Sequence, residues 1–187
     1  MPNLDSQSAD HDFEAIVNFW RDAGPRRWFT KNAAFDAEFR SRFLKHHEAA
    51  AQEKLNNWAN TAFGALALVI LLDQFPRNAF RGTARMYATD RLARQLAARA
   101  IAAGFDLQIP VELRLFFYLP YAHSEDLDDQ DRSVELSGRL GIDYLKHALE
   151  HRAIILRFGR FPHRNEILGR MTTAEERRFL DAGGFAG

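Results

Sequence analysis

The longest apolar run of the chain, AFGALALVILL at positions 62–72, constrains its fold more than any other feature. The run is too apolar to form one face of an amphipathic helix, so neighbouring elements must cover it on most sides. It is also much shorter than the about 20 apolar residues that a membrane span requires. A buried strand would satisfy the same pattern, but the alanine and leucine content and the length favour a buried helix over positions 60–73.

Amphipathic periodicity predicts further helices around this one. Apolar residues at i, i+3, i+4 and i+7 indicate a first helix over 13–20, which Gly24-Pro25 ends. Asn32 is the predicted N-cap of a second helix, in which phenylalanine recurs at every fourth position over 35–43. The remaining predicted helices cover 89–103, 111–119, a long zone over 125–158 that breaks near 138–141, and a last helix that begins with a Thr173–Glu176 capping box.

Signals for β-strands are almost absent, because the chain has no alternating β-branched runs and no Asn-Gly or Asp-Gly turns. We therefore predict an all-α fold of about seven to nine short helices. The tetratricopeptide consensus is not visible. Short loops still favour an irregular, tetratricopeptide-like stack of antiparallel helix pairs, with a closed irregular bundle as the alternative. Residues 1–187 contain no Ser/Gly linker, so we predict a single domain with a flexible N-terminal segment over 1–10.

The charges and the absence of cysteine exclude several classes of function. Lys+Arg and Asp+Glu number 25 each, so the chain lacks the bulk basic field of a nucleic-acid-binding protein. Without cysteine, no disulfide framework, thiolate nucleophile or Cys-ligated metal can form. The acidic start, MPNLDSQSADHDFE, does not have the pattern of a signal peptide, and no glycine-rich motif identifies a cofactor, which stays unknown. We expect a soluble cytoplasmic protein that binds neither nucleic acid nor membrane, and the sequence leaves a homo-oligomer open.

Two distant stretches have the same unusual pattern, LLDQFPRN at 71–78 and FGRFPHRN at 158–165. In each, Phe-Pro is predicted to stop an apolar helix, because proline disfavours helical geometry in the residue before it and lacks an N–H group. Asn78 and Asn165 are the predicted caps of a short helical turn that follows. Arg77 and Arg164 would then bond carbonyl groups at a helix end or pair with carboxylates.

A third polar loop, FYLPYAHSEDLDDQ at 117–130, follows a short helix that is predicted to end at Pro120. Ser124 is the predicted N-cap of the next helix. Beside it, His123 and Glu125 are candidates for an acid–base pair, since a neutral histidine near a carboxylate can transfer protons at neutral pH.

The sequence predicts no metal site and no nucleophilic serine. His147 and His151 lie four residues apart and share a helix face, a spacing at which two histidines can bind zinc. The His-Glu-x-x-His order of such sites is missing, however, and cationic side chains flank both histidines. Ser124 follows His123, but no Gly-x-Ser-x-Gly elbow surrounds it.

Three long segments together resemble a bacterial family of uncharacterised proteins, the domain of unknown function 924: LLDQFPRNAFRGTARMYATD, FFYLPYAHSEDLDDQDRSVEL and HRAIILRFGRFPHRNEILGR. WFTKNAAFDAEF at 28–39 and the C-terminal TTAEERRFL add to a resemblance that extends from about residue 13 to 182. It implies a tetratricopeptide-like helical fold and no stated activity. The family often has Lys-Asp where this chain has Lys31-Asn32. The pattern singles out Asp73, Gln74, Arg77, Asn78, Arg81, Gly82, His123, Ser124, Glu125, Gln130, Arg160, His163, Arg164 and Asn165.

If the three polar loops converge, they form a pocket for a small phosphorylated or carboxylated ligand, because arginine side chains bind such groups in a bidentate manner. Hydrolysis or proton transfer is the reaction class that these residue types favour, although the sequence leaves open whether the protein is an enzyme. A peptide-binding helical module that clamps a peptide carboxylate is one alternative, and a purely structural polar network is another. The predicted catalytic residues are His123, Glu125 and His163, and the predicted ligand-binding residues are Asp73, Gln74, Arg77, Asn78, Arg81, Ser124, Arg160, Arg164 and Asn165.

Overall fold

A computed structural model describes residues 4–187, and for residues 4–11 it describes the backbone alone. Residues 1–3 of the predicted flexible segment lie outside the described residues, so the expectation for 1–10 stays a prediction. No strand occurs over 4–187, which confirms the all-α class. The α-helices are α1 (Leu4–Ala23), α2 (Pro25–Trp28), α3 (Ala33–Ala51), α4 (Ala62–Val69), α5 (Phe75–Ala79), α6 (Asp90–Ala102), α7 (Val111–Ala122), α8 (Leu127–Gly138), α9 (Ile142–Phe158) and α10 (Ala174–Asp181).

Local capping signals in the sequence gave correct helix starts. The Asn32 side-chain oxygen accepts hydrogen bonds from the N–H groups of Ala34 and Phe35, at 3.1 and 3.0 Å, and so begins α3. Thr173 and Glu176 form the predicted capping box of α10. In both places a short polar side chain satisfies N–H groups that the first turn of a helix leaves without a partner.

The prediction that Phe75-Pro76 stops the apolar helix is wrong. A π-turn over Ile70–Gln74 joins α4 to α5 without a break, so the described residues form nine continuous helices, within the predicted range. The Phe75 N–H donates to the carbonyl of Ile70, five residues back. Proline at position 76 has no N–H to donate, and the wider turn lets the helix continue past it.

Side chains from elsewhere take the carbonyl groups that this π-turn releases. His47 Nδ1 donates to the Leu71 carbonyl at 2.9 Å, and the Thr89 hydroxyl donates to the Leu72 carbonyl at 2.5 Å. All residues of the π-turn are buried, so their polar groups need protein partners. The helix thus continues through proline because distant residues complete its hydrogen bonding.

The second Phe-Pro stretch has a different structure. α9 ends at Phe158, and Gly159 follows in the left-handed conformation with a φ of 67°, as is common after a helix C-terminus. Pro162 then begins a 3₁₀ turn over Pro162–Arg164. α7 does not end at Pro120 as predicted, since it continues to Ala122. One lost hydrogen bond in a final turn is tolerated, whereas a mid-helix proline is costly.

The chain forms two compact units. Unit 1 comprises the residues up to Arg81 and Arg85–Pro120, and unit 2 comprises Gly82–Ala84 and Tyr121–Gly187. The single domain and the tetratricopeptide-like stacking of helix pairs both stay predictions. Within residues 4–187, no helix combines the length and the apolar character that would let it cross a membrane.

Each unit has its own apolar core. In unit 1, the buried Trp20 ring contacts the Trp28 and Phe116 rings, with ring centres 6.5 and 5.3 Å away. In unit 2, α8 packs along α9, and the fully buried Phe161 lies against Ile155 near the end of α9. Phe161 therefore anchors the third polar loop to the core of unit 2.

Candidate functional site

The first polar loop lies in unit 1, where its charged residues satisfy one another. Arg77 forms a bidentate pair with Asp90, at 2.8 and 2.9 Å, and lies 3.2 Å from the fully buried carboxylate of Asp73. Gln74 Nε2 donates to Asp73 at 2.6 Å. Arg77 also donates to the Asp73 carbonyl at 2.7 Å, but this carbonyl lies inside a continuous helix, so of the two predicted roles of Arg77 the structure has the pairing with carboxylates. Burial opposes the charge of Arg77, but the two aspartates outweigh it and raise the arginine pKa.

Asn78 and Arg81 both bond the carboxylate of Asp36 and do not line a binding pocket together. The Asn78 side chain donates to Asp36 at 2.7 Å, and Arg81 approaches the same carboxylate at 3.0 Å. Asn78 lies inside α5, so the prediction that it caps a short helical turn is wrong. The reason is that the helix does not restart here, since the π-turn carries it through Pro76.

The second and third polar loops meet in unit 2. The Glu125 carboxylate accepts the Phe161 N–H at 2.8 Å and two hydrogen bonds from Arg170, at 2.7 and 3.0 Å. Burial alone would raise the pKa of Glu125, but these donors outweigh it and the pKa is lowered. A carboxylate held ionised in this way is a poor proton acceptor at neutral pH, so the contacts of Glu125 favour a structural role.

A second carboxylate organises the rest of the third loop. Glu176 accepts two hydrogen bonds from Arg160, at 2.6 and 2.8 Å, and one from the Thr173 N–H at 2.7 Å. The Asn165 amide donates to Glu176 at 3.2 Å, and its oxygen accepts from Arg170 at 3.0 Å. The bonds to Arg160 are the main reason that the pKa of Glu176 falls to about 2. Asn165 therefore bonds Glu176 directly and is linked to Glu125 through Arg170. The prediction that it caps a helical turn is wrong.

Ser124 and Gln130 close the second loop upon itself. The Ser124 hydroxyl donates to Asp129 at 2.6 Å, and the buried Gln130 amide donates to the carbonyls of Ala122 and Ser124, at 2.9 and 2.7 Å. The N-cap of α8 is Asp126 and not Ser124 as predicted. A carboxylate at this position accepts hydrogen bonds from the N–H groups of the first turn, and its negative charge is stabilised by the positive end of the helix dipole.

Two histidines and a buried arginine lie against Phe161 in unit 2, and a third histidine lies near His151. We call His123, His151, His163 and Arg164 the imidazole corner. The Arg164 guanidinium lies over the Phe161 ring, 4.5 Å from its centre, and the rings of His151 and His163 are each 5.6 Å from that centre. Arg164 is only 7% exposed. His123 lies close enough for its charge to lower the pKa of His151. Of the predicted catalytic residues, this corner contains His123 and His163.

The imidazole corner keeps two of its histidines neutral. Burial lowers the pKa of both His151 and His163 to about 4, and the charge of Arg164 adds to the effect. His151 Nδ1 donates to the His147 carbonyl at 2.8 Å. His163 Nδ1 is buried and has no hydrogen-bond partner among the residues that the structure describes. A buried nitrogen of this kind calls for a physical explanation, because a lost hydrogen bond typically costs about 1–3 kcal/mol.

One segment near the C-terminus lies over the imidazole corner. The Phe185 ring contacts the edges of His151 and His163, with ring centres 4.6 and 5.1 Å away. Phe185 itself remains 40% exposed, so the cover is partial. Phe185 of the same molecule therefore covers part of the imidazole corner beside Arg164.

Sequence reasoning missed several partners of the predicted residues. All but one of them lie within the segments that carry the family resemblance, but only tertiary contacts bring them to the arginines, histidines and carboxylates described above. They are Asp36, Asp90, Phe185 and Arg170, together with His151, which the sequence raised only as a metal ligand, and Glu176, which it assigned only to a capping box.

Two surface cavities of about 330 and 600 Å³ lie in unit 1 along α1 and α3, and none of the predicted site residues lines either of them. Over the described part of the chain, no group of three or more His, Asp or Glu side chains is arranged to hold a metal ion.

Acid should destabilise the protein through the two buried imidazoles. Their unfolded pKa is near 6.5 and their folded pKa about 4, so between these values the unfolded state binds more protons. The free energy of unfolding therefore decreases as the pH is lowered through this range. We expect a loss of about 2 kcal/mol per histidine between pH 7.5 and 5. Urea unfolding across this range measures it.

A control variant separates this effect from general acid sensitivity. His163→Phe should remove about half of the slope, whereas His147→Phe on the exposed face of α9 should leave it unchanged. Equal slopes in the wild type and in His163→Phe would contradict the assignment.

Comparison with known proteins places the chain in a wider context. The family model described as "Bacterial protein of unknown function (DUF924)" matches residues 16–184. A solved structure of a protein of unknown function, ATU0120 from Agrobacterium tumefaciens, is similar at 54% sequence identity and a TM-score of 0.92. That similarity covers 94% of this chain and 99% of the solved one. A comparison with curated proteins found no match.

Proposed function

The chain belongs to the DUF924 family of bacterial proteins of unknown function, and we propose that it binds a small anion, a carboxylate or a phosphate, at the imidazole corner of unit 2. The observation that carries the proposal is the buried His163 Nδ1, which has no hydrogen-bond partner within the described residues. A ligand atom that bonds this nitrogen would account for its burial.

The chemistry of the corner favours an anion over a neutral or cationic ligand. Neutral imidazoles can each donate one N–H, and a guanidinium offers a fixed fork of donors that matches carboxylate or phosphate oxygens. Arg164 and His163 lie against one aromatic ring, so their donors are close together. The single N–H of the neutral His151 already bonds the His147 carbonyl. Low exposure strengthens the attraction between a cation and a bound anion, since the effective dielectric constant is lower than in water.

We propose binding rather than acid–base turnover. A general base works best when its pKa is near the working pH, and the pKa values of His151 and His163, about 4, are well below neutrality. Glu125, the other candidate, is held by Arg170 and the Phe161 N–H. Both features favour recognition of a ligand over proton transfer to it.

A peptide carboxylate beside an aromatic side chain is a second candidate ligand. The observation that favours it is Phe185, whose ring packs on His151 and His163 in the same molecule. A peptide with a terminal phenylalanine would present the same ring together with a carboxylate. Under this alternative the chain is a protein-binding module, and Phe185 would have to move when the peptide binds.

Thermal unfolding with two probes tests the proposal. We would compare inorganic phosphate and N-acetylphenylalanine, each against sodium chloride at equal ionic strength, in the wild type and in His163→Phe. This variant keeps a ring against Phe161 and removes the buried nitrogen. A ligand at about ten times its Kd stabilises by about 1.4 kcal/mol, which raises the Tm of a protein of this size by about 3–6 °C.

We expect at least one probe to raise the wild-type Tm and His163→Phe to abolish the rise without a lower Tm of its own. His147→Phe, at an exposed position, is the matched control and should respond like the wild type. A response to N-acetylphenylalanine alone would select the peptide alternative. Equal responses in the wild type and in His163→Phe, or no response to either probe, would overturn the proposed site.

A further inference from the structure

α9 presents an apolar stripe to solvent in unit 2. Ile142, Leu149 and Leu156 recur every seven residues and are 64%, 48% and 62% exposed. Seven residues make almost two helical turns, so the three side chains lie along one line, which we call the α9 stripe. The core-facing side of α9 carries Ala148, Ile154 and Ile155, and Ile154 lies nearly opposite Leu156 around the helix.

Such a stripe differs from ordinary exposed leucines. Single apolar residues are common on protein surfaces, but contiguous apolar patches mark surfaces that bind another molecule. A seven-residue repeat keeps one line of side chains facing a neighbouring helix, and the stripe fills one of the two positions per seven that a coiled coil uses. A helix of the same spacing is therefore the natural partner of the α9 stripe.

The charged residues beside the stripe indicate which helix is its partner. Asp143, Lys146, Glu150 and Arg157 all lie on one flank of the stripe, at about 100° per residue around the helix. Their order along the chain is acid, base, acid, base. When this order is reversed, each acid meets a base, so the flank is complementary to a second copy of itself in the antiparallel direction.

We propose that the α9 stripe is the contact surface of a homodimer, in which α9 packs antiparallel against α9 of a second copy. The two-fold axis passes near Leu149. Asp143 then lies opposite Arg157 of the second copy, and Lys146 opposite Glu150, each within about 3 Å along the helix axis. The inference does not depend on the proposed anion site.

The charged flank is available for this contact. Arg157 contacts Glu175 within the same chain, but both side chains are 53% exposed. Glu150 lies 3.5 Å from His147, and both are largely exposed. Exposed pairs of this kind contribute little to folding and rearrange easily. One helix face is smaller than a standard interface, so we expect a weak dimer whose population rises with concentration.

Disulfide crosslinking tests the arrangement directly, because the full chain contains no cysteine and any single one is unique. Two cysteines form a disulfide only when their Cα atoms are within about 7 Å. In the proposed dimer Leu149→Cys lies near the two-fold axis. The two Ile142→Cys positions would be about 21 Å apart, at 1.5 Å of rise per residue.

We expect Leu149→Cys to form a covalent dimer under mild oxidation and Ile142→Cys alone to stay monomeric. A mixture of Ile142→Cys with Leu156→Cys should crosslink, since these positions are symmetric about Leu149. Met171→Cys, at a 90% exposed position outside α9, is the control for random collision. Self-crosslinking of Ile142→Cys above that control would indicate parallel packing and overturn the proposal.

Sedimentation of the cysteine-free chain provides an independent measurement. We expect the average mass to rise between about 10 and about 500 µM protein, as mass action requires of a weak dimer. Leu149→Glu should abolish the rise, and Met171→Glu should not. A wild type that stays monomeric throughout, with Leu149→Cys no more crosslinked than Met171→Cys, would show that a second copy does not occupy the stripe.

Discussion

Replacing Arg77 with alanine should lower the free energy of unfolding by about 3–5 kcal/mol. The substitution leaves two carboxylates without their cation, and one of them, Asp73, is fully buried. Gln74 still donates to Asp73, but a neutral amide offsets less of the cost of burying a carboxylate than a cation does, so the substitution is destabilising. The substitution also removes the side chain that donates to the Asp73 carbonyl inside the continuous helix.

Arg81→Ala is the matched control for this experiment. Arg81 also pairs with an aspartate of unit 1, but its side chain is one-third exposed and Asn78 remains on the same carboxylate. Urea unfolding of both variants at pH 7.5 gives the comparison, and we expect Arg81→Ala to lose about 1 kcal/mol or less. An Arg77→Ala loss no larger than that of Arg81→Ala would show that Asp73 does not depend on Arg77.

Replacing Glu176 with alanine should lower the free energy of unfolding by about 3 kcal/mol. The change removes the partner of Arg160, the amide contact of Asn165 and the second half of the capping box. A helix cap alone contributes about 1 kcal/mol, and the buried side of the ion pair adds to it, reduced by solvent screening of the partly exposed Arg160. The neighbouring Glu175, which pairs with Arg157 on the surface, is the control.

The effect of Glu176 should also depend on pH in a defined direction. Its folded pKa is about 2 and its unfolded pKa about 4.5, so its ionised form stabilises the protein above pH 4.5. That stability is lost as the pH falls towards 2. The difference in unfolding free energy between the wild type and Glu176→Ala should therefore shrink from pH 5 to pH 2.5. A difference that is constant over this range would mean that packing, and not charge, accounts for the loss.

The positions of the helices were predictable because their signals are local. A side chain that caps a helix bonds to N–H groups two or three residues away, as Asn32 does in α3 and Thr173 in α10. Apolar periodicity likewise depends on one helix and its buried face. The residues of the candidate site were only partly predictable, since most of their partners, such as Arg170 and Phe185, are distant in sequence or carry no motif.

The two Phe-Pro stretches show which features follow from local sequence and which depend on contacts with distant residues. The sequence determined that proline removes an N–H group and that the polar residues around it need partners. At Phe75-Pro76 the helix continues, because His47 and Thr89 take the released carbonyls. At Phe161-Pro162 the helix has already ended at Gly159, and Glu125 takes the Phe161 N–H. Nearly identical local chemistry gives two structures, because the partners that satisfy buried polar groups come from distant parts of the chain.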